Sequence, residues 1–142
     1  MKISGIIDRK GSAVVTTAPT TSVNEFLQLL AQHGIGAVVV VADRRPIGII
    51  SERDVVLRLA EAGTATLEQP ISELMSRDLV TCTAEDQLED IAMLMTERRI
   101  RHLPVLAGEE LAGIVSIGDV VAARLRELEQ TQAQLESYIT HG

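Results

Sequence analysis

The chain has 142 residues, enough for one compact domain with a sizeable core, and 46 % of them are apolar, chiefly Val, Ile, Leu and Ala. Its net charge of -7 and its two aromatic residues, Phe26 and Tyr138, argue against nucleic acid, which is held by basic surfaces and stacking rings. A single cysteine, Cys82, excludes an internal disulfide framework and a multi-Cys zinc site; no signal-peptide run opens the chain, and the longest uninterrupted apolar run, Ala37–Ala42, is far too short to span a membrane, so a cytoplasmic protein is expected.

In chain order, a short strand is predicted over Ala13-Val14-Val15-Thr16. A helix follows, with Val23, Phe26, Leu27 and Leu30 at the 0, 3, 4, 7 spacing of one buried face, and Ser22 with Glu25 reads as a capping box at its start. Two strands come next, Ala37–Ala42 and 47–50, joined by the turn Asp43-Arg44-Arg45-Pro46. Their nearly continuous apolar runs predict strands covered on both faces. A second helix begins after Ser51.

The same order then recurs. Residues 14–57 align with 79–122 at a constant offset of 65 without a gap, and twelve of the 44 pairs are identical. The second copy predicts a strand at Leu79-Val80-Thr81 and a helix with Leu88, Ile91, Ala92 and Met95 inward. Strands at 102–106 and 111–115 follow, around the turn Ala107-Gly108-Glu109-Glu110, then a helix after Ser116. The segment Ile3-Ser4-Gly5-Ile6-Ile7 resembles Ile71-Ser72-Glu73-Leu74-Met75. The expected division is a first repeat over 1–62, a linker over 63–70, a second repeat over 71–127 and a C-terminal helical extension over 128–142. Each unit, β-α-β-β-α, is too small to fold well alone, so the copies are expected to pack on each other with pseudo-twofold symmetry.

The last helix is longer than its counterpart. Val121, Leu125, Leu128, Leu135 and Ile139 follow coiled-coil spacing, with Gln132 at the missing position. Two readings stand: the helix packs back on its own domain, or the stripe is a dimer contact.

The densest chemical signal is Gly48-Ile49-Ile50-Ser51-Glu52-Arg53-Asp54 and its copy Gly113-Ile114-Val115-Ser116-Ile117-Gly118-Asp119, each where a strand ends and a helix begins. One reading is purely structural, because Ser-x-x-Asp is also a capping box. The other is a nucleotide site. The glycine lets something approach the strand, the helix N-terminus suits phosphate, and an ionised Asp one turn in accepts hydrogen bonds from two ribose hydroxyls. His33 and His141 have no partner at metal-ligand spacing, and no nucleophile-base set is visible, so neither a metal site nor an enzyme is expected.

The duplicated unit with Gly-h-h-Ser-x-x-Asp, where h is apolar, resembles a cystathionine-β-synthase (CBS) domain pair, or Bateman module, over roughly residues 1–127. Arg98-Arg99-Ile100-Arg101-His102-Leu103-Pro104-Val105 resembles that family's strand entry, and the whole is similar to small stand-alone bacterial CBS-pair proteins. The resemblance implies an α/β (α+β) fold and adenosyl-nucleotide sites in clefts between the copies, for AMP, ADP, ATP or NAD(H). It carries ribose binding to Asp54 and Asp119, and phosphate or ribose contact to Ser51 and Ser116. It places the adenine edge on backbone of Val15, Thr16, Ala37 and Val38 in one site and of Val80, Thr81, His102 and Leu103, with Pro104, in the other. Arg99 and Arg101, where the first copy has Gly34 and Gly36, join Arg98 and His102 as a candidate phosphate clamp, and Arg53, aligned with Gly118, is a second cation source. Two sites of unequal affinity are expected, in a homodimeric regulatory module with an unidentified protein target. The alternative is a constitutive dimeric scaffold in which Ser-x-x-Asp only caps helices.

Overall fold

The computed structural model describes residues 1–11 and 14–141. It is a mixed α and β structure. Helix α1 (Ile3–Lys10) leads to β1 (Thr16–Thr17), α2 (Val23–His33), β2 (Ala37–Ala42), β3 (Arg45–Ser51) and α3 (Glu52–Ala62). Two short 3-10 segments, Gly63–Glu68 and Ile71–Glu73, precede α4 (Leu88–Arg98), β4 (His102–Ala107), β5 (Glu110–Ser116) and α5 (Ile117–His141). Among the described residues no helix is long and apolar enough to cross a membrane.

The chain forms two compact units, each drawn from separated stretches of the sequence. One unit joins the first repeat to the residues after it, through Val80, and to Gly108–Leu111. The other joins α1 to Thr81–Ala107 and to the chain from Ala112 onward. Each repeat therefore packs with the segment that precedes the other one. The reason is local and apolar in both cases. Ile3 and Ile6 are buried, and the backbone around them is anchored by Ile3 N–H to Asp86 O at 2.9 Å, Ser4 N–H to Ala84 O at 2.9 Å and Leu88 N–H to Met1 O at 2.9 Å. In the other unit Ile71 is fully buried and donates its N–H to Thr21 O at 2.8 Å. Residues 63–70, expected as a linker, are folded down here: Thr66 is buried and its hydroxyl donates to Arg58 O at 3.4 Å.

In the unit of the first repeat the sheet order is β1-β2-β3, with β1 parallel and β3 antiparallel to β2. Val38, Val39 and Val40 are all 0 % exposed, so β2 is covered on both faces, as its unbroken apolar run requires. The core gathers Val23, Phe26 and Leu30 of α2 with Val38, Val40, Ile50, Val55, Ile71 and Met75. Phe26, the one aromatic ring in it, contributes about 1.5–3 kcal/mol through burial. Ser22 caps α2, accepting from the Glu25 N–H at 3.1 Å, and Gly34 closes it in the left-handed region at φ 62°. In the other unit β4 and β5 form a two-stranded sheet, and Leu88, Ile91 and Met95 of α4 are buried as their spacing predicts.

Three element boundaries shift. The first strand falls on Thr16–Thr17, and the expected strand at Leu79-Val80-Thr81 is replaced by one parallel bridge, Cys82 to Val105. Thr17–Val40 and Cys82–Val105 are equivalent pairs at offset 65, so pairing with the neighbouring strand, and not the local apolar run, sets where the strand lies. Ala13, where the first strand was expected to begin, lies outside the described residues, as does Gly142. The first hairpin turn is tighter than expected, with Asp43 and Arg44 at φ 51° and 65° and β3 already begun at Arg45.

The segment before each repeat fills the space that a glycine leaves. A Cβ on Gly48 would lie 2.6 Å from Met75 Sδ and 2.9 Å from the Ser76 carbonyl, and one on Gly113 would lie 2.6 Å from the tip of Ile7. Ser76 is itself tied to Ile49 by hydrogen bonds of 2.9 and 3.0 Å, whereas the Ile7 tip can rotate away. Gly48→Ala is expected to cost about 1–3 kcal/mol and Gly113→Ala distinctly less, by urea unfolding. An equal or reversed order would contradict this packing.

Candidate functional site

Both Ser-x-x-Asp pairs sit at a strand-to-helix junction, β3 to α3 and β5 to α5, and both are capping boxes. Asp54 Oδ2 accepts the Ser51 N–H at 2.8 Å and the Ser51 hydroxyl at 3.2 Å. Asp119 Oδ2 accepts the Ser116 N–H at 2.9 Å, and Ser116 Oγ accepts the Asp119 N–H at 3.1 Å. The structural reading of the motif is thus realised twice. It does not exhaust the carboxylates: among the described residues, the bonds Asp54 accepts from Ser51 and those Asp119 accepts from Lys10 and the Ser116 amide end on Oδ2. Oδ1 keeps its acceptor capacity. The glycines have a different role from the one expected: Gly48 and Gly113 admit the chain's own Met75, Ser76 and Ile7 to the strand.

In the unit of the first repeat the expected residues converge on one end of the sheet. Ala37 pairs with Ser51, Thr16 pairs with Val39, and the Glu52 N–H donates to Gly36 O at 3.0 Å, so the start of β2 lies beside the start of α3. Because β1 begins pairing only at Val39, no described strand covers the backbone of Ala37 and Val38 on that side. Val15 immediately precedes β1 and is half-buried. That leaves a strand gap beside Ala37 and Val38, flanked by aliphatic side chains. Arg53 is exposed on the first turn of α3. A Cβ on Gly36 would meet Glu52 Oε1 at 2.7 Å, so a carboxylate stands where the other repeat has Arg101.

The unit of the second repeat carries the opposite charge at the equivalent place. The Ile117 N–H donates to Arg101 O at 2.8 Å, which sets Arg101 and the neighbouring His102 beside the Ser116 cap. Leu103 and Pro104 behind them are buried in β4, and Thr81 is half-buried. Val80, expected with Thr81, belongs to the other compact unit. Arg99 closes α4 in the left-handed conformation at φ 55°, where the first repeat uses Gly34. A non-glycine residue held there costs on the order of 1 kcal/mol. Arg98 and Arg99 are both exposed.

One residue of this site was not foreseen. Lys10, at the end of α1, donates to Asp119 Oδ2 at 2.7 Å and to the Ile114 carbonyl at 3.0 Å. Burial pushes the Asp119 carboxyl up, but the Lys10 ammonium together with the Ser116 amide and hydroxyl outweighs it and holds the group below its ordinary range. Lys10 and Asp119 are 109 residues apart. The resemblance of 3–7 to 71–75 was the only hint that α1 belongs near a repeat, and it pointed to the first. Cys82, by contrast, is buried, and burial followed by the nearby Asp86 charge pushes its thiol up to about 12, which makes it an inert core residue.

This fold, with its two equivalent strand-to-helix junctions, defines a tandem repeat protein. The family model of the CBS domain matches residues 3–61 and 71–126, and the chain belongs to the CBS-domain family. It is similar to the CBS domain-containing protein YhcV of Bacillus subtilis, 33 % identical over 123 residues that cover 87 % of each chain. The crystal structure of the CBS-domain protein ATU1752 from Agrobacterium tumefaciens matches with a TM-score of 0.85 and 43 % identity, over 87 % of this chain and 99 % of that one. The CBS domain pair of MJ0100, solved with 5′-methylthioadenosine and S-adenosyl-L-methionine, shares the fold at a TM-score of 0.78 and 23 % identity, over 91 % of this chain and 98 % of that one.

Two substitutions test the site's electrostatics. Asp119 has a folded pKa below its unfolded value of about 3.9, so its ionised form contributes stability above that pH, lost as pH falls through the folded pKa. Lys10→Met is expected to raise the Asp119 pKa and to start the acid loss of stability at higher pH; carboxyl carbon NMR titration reads the first and pH-dependent urea unfolding the second. An unmoved Asp119 would show that Lys10 does not hold it. Arg99→Gly should relieve the left-handed strain and stabilise the ligand-free protein by up to about 1 kcal/mol; a loss of stability would show that Arg99 makes compensating contacts.

Proposed function

We propose that this protein is a non-catalytic regulatory module that binds an adenosyl nucleotide at the Ser51–Asp54 and Ser116–Asp119 junctions. The observation that carries the reading is that Oδ2 of each aspartate takes the serine amide at the helix start, which leaves acceptor capacity on the same carboxylate for ribose hydroxyls. The strand gap at Ala37 and Val38 receives the adenine edge between aliphatic side chains. Arg99, Arg101 and His102 favour phosphate at the second repeat's junction, while Glu52 disfavours it at the first. AMP is the ligand best matched to one such cluster, with ATP, ADP and NAD(H) as chemical variants of the same handle. The ligands of the MJ0100 pair are adenosyl compounds too, although that likeness speaks for the fold alone.

The reading includes a homodimer, a cytoplasmic location and a protein target whose contact changes with occupancy, sensing energy or redox state through differential affinity for two arrangements. The two junctions are unequal on this reading. A ligand at Asp119 meets a carboxylate already paired with Lys10 through Oδ2. A second reading, a constitutive scaffold, is favoured by one observation only, the completeness of both capping boxes.

Thermal melts separate the two. A ligand present at about 100 times its Kd stabilises the folded state by about 2.7 kcal/mol, which for a chain of this size is a midpoint rise of several degrees. We expect such a rise with at least one of AMP, ATP, NADH and S-adenosylmethionine, reduced stepwise by Asp54→Ala and Asp119→Ala. Mass spectrometry of the denatured protein is expected to release the same nucleotide. No shift with any of the four, with both Asp variants merely less stable, would leave the scaffold reading standing.

A further inference from the structure

The long last helix has two different faces. Val120 and Ala123 are buried against their own unit, and Glu127 is half-buried and takes the N-terminal ammonium at 3.1 Å. The seam Val121, Leu125, Leu128, Gln132, Leu135, Ile139 lies roughly 130° round the helix from them, at 3.6 residues per turn. Its five apolar members are 51–78 % exposed, so the helix does not pack them back on its own unit. From Glu129 to His141 every residue is exposed. A free helical segment that short is marginal in water. This stretch also lies beyond residue 126, where the match to the CBS domain ends.

We infer that α5 is a dimerisation helix, which pairs with α5 of a second copy as a parallel, in-register two-stranded coiled coil. The 4-3-4-3-4 spacing makes Leu125, Gln132 and Ile139 one set of core positions and Val121, Leu128 and Leu135 the other. Two features choose the orientation. In the parallel arrangement Gln132 faces Gln132, and the two amides satisfy each other; in the antiparallel one it faces Leu128 and is left unpaired. Flanking charges agree. Parallel pairing sets Arg124 against Glu129 of the second copy, while antiparallel pairing brings Glu129 against Glu129. Arg124 is already oriented by Glu89 and Glu127, each at 3.1 Å from its Nη1, on the flank of the seam. The inference stands on the helix alone and is independent of any nucleotide.

The test uses the full chain with one new cysteine at a time; the native Cys82 is buried and does not compete. Sedimentation is expected to show a dimer. Mild oxidation of Gln132→Cys should join two chains by a disulfide, because the position opposes itself in the parallel register, and adding Leu128→Lys should abolish the link. Arg126→Cys, on the outer face, should give none. A monomer, a larger assembly, or a dimer in which Gln132→Cys links only to Leu128→Cys in a mixture overturns the proposal.

Discussion

The hydrogen bond from a serine amide to the aspartate one turn ahead, at 2.8 Å in the first repeat and 2.9 Å in the second, organises both halves of this protein. It converts the end of a buried strand into the start of a helix and satisfies the serine amide there. The neighbouring strand entry is tied to the junction: Ala37 is registered opposite Ser51, and Arg101 accepts the first amide of α5. A capping carboxylate and a ligand-holding carboxylate are therefore compatible roles. The cap uses one oxygen and orients the other.

On this shared frame the repeats diverge in charge. Gly34 and Gly36 keep the first junction open and set Glu52 beside it, whereas Arg99 and Arg101 load the second with cations. Arg99 holds a backbone conformation that glycine adopts freely, at a cost on the order of 1 kcal/mol. Lys10 completes the contrast by neutralising Asp119 from another part of the chain.

Much of this was legible in advance because it depends on short-range pattern. The buried faces of α2 and α4 follow 3.6-residue periodicity, β2 shows as an unbroken valine run, and Ser22 and Ser51 announce their helices by side-chain chemistry. The edge strands lie one to three residues further along the chain than the apolar runs predict. A two-residue strand has no periodicity of its own and takes its position from Val39, Val40 or Val105 across the sheet.

By itself the sequence determined the duplication, the order of elements, the caps at Ser51 and Ser116 and the seam along α5, since each is written in residues a few positions apart. Only the tertiary structure decided what meets those features. It put Met75 and Ile7 over the glycines, folded 63–70 onto the first repeat, brought Lys10 to Asp119 and left the α5 seam uncovered. These outcomes turn on which apolar surface each segment buries best, a competition among distant parts of the chain that no local pattern records.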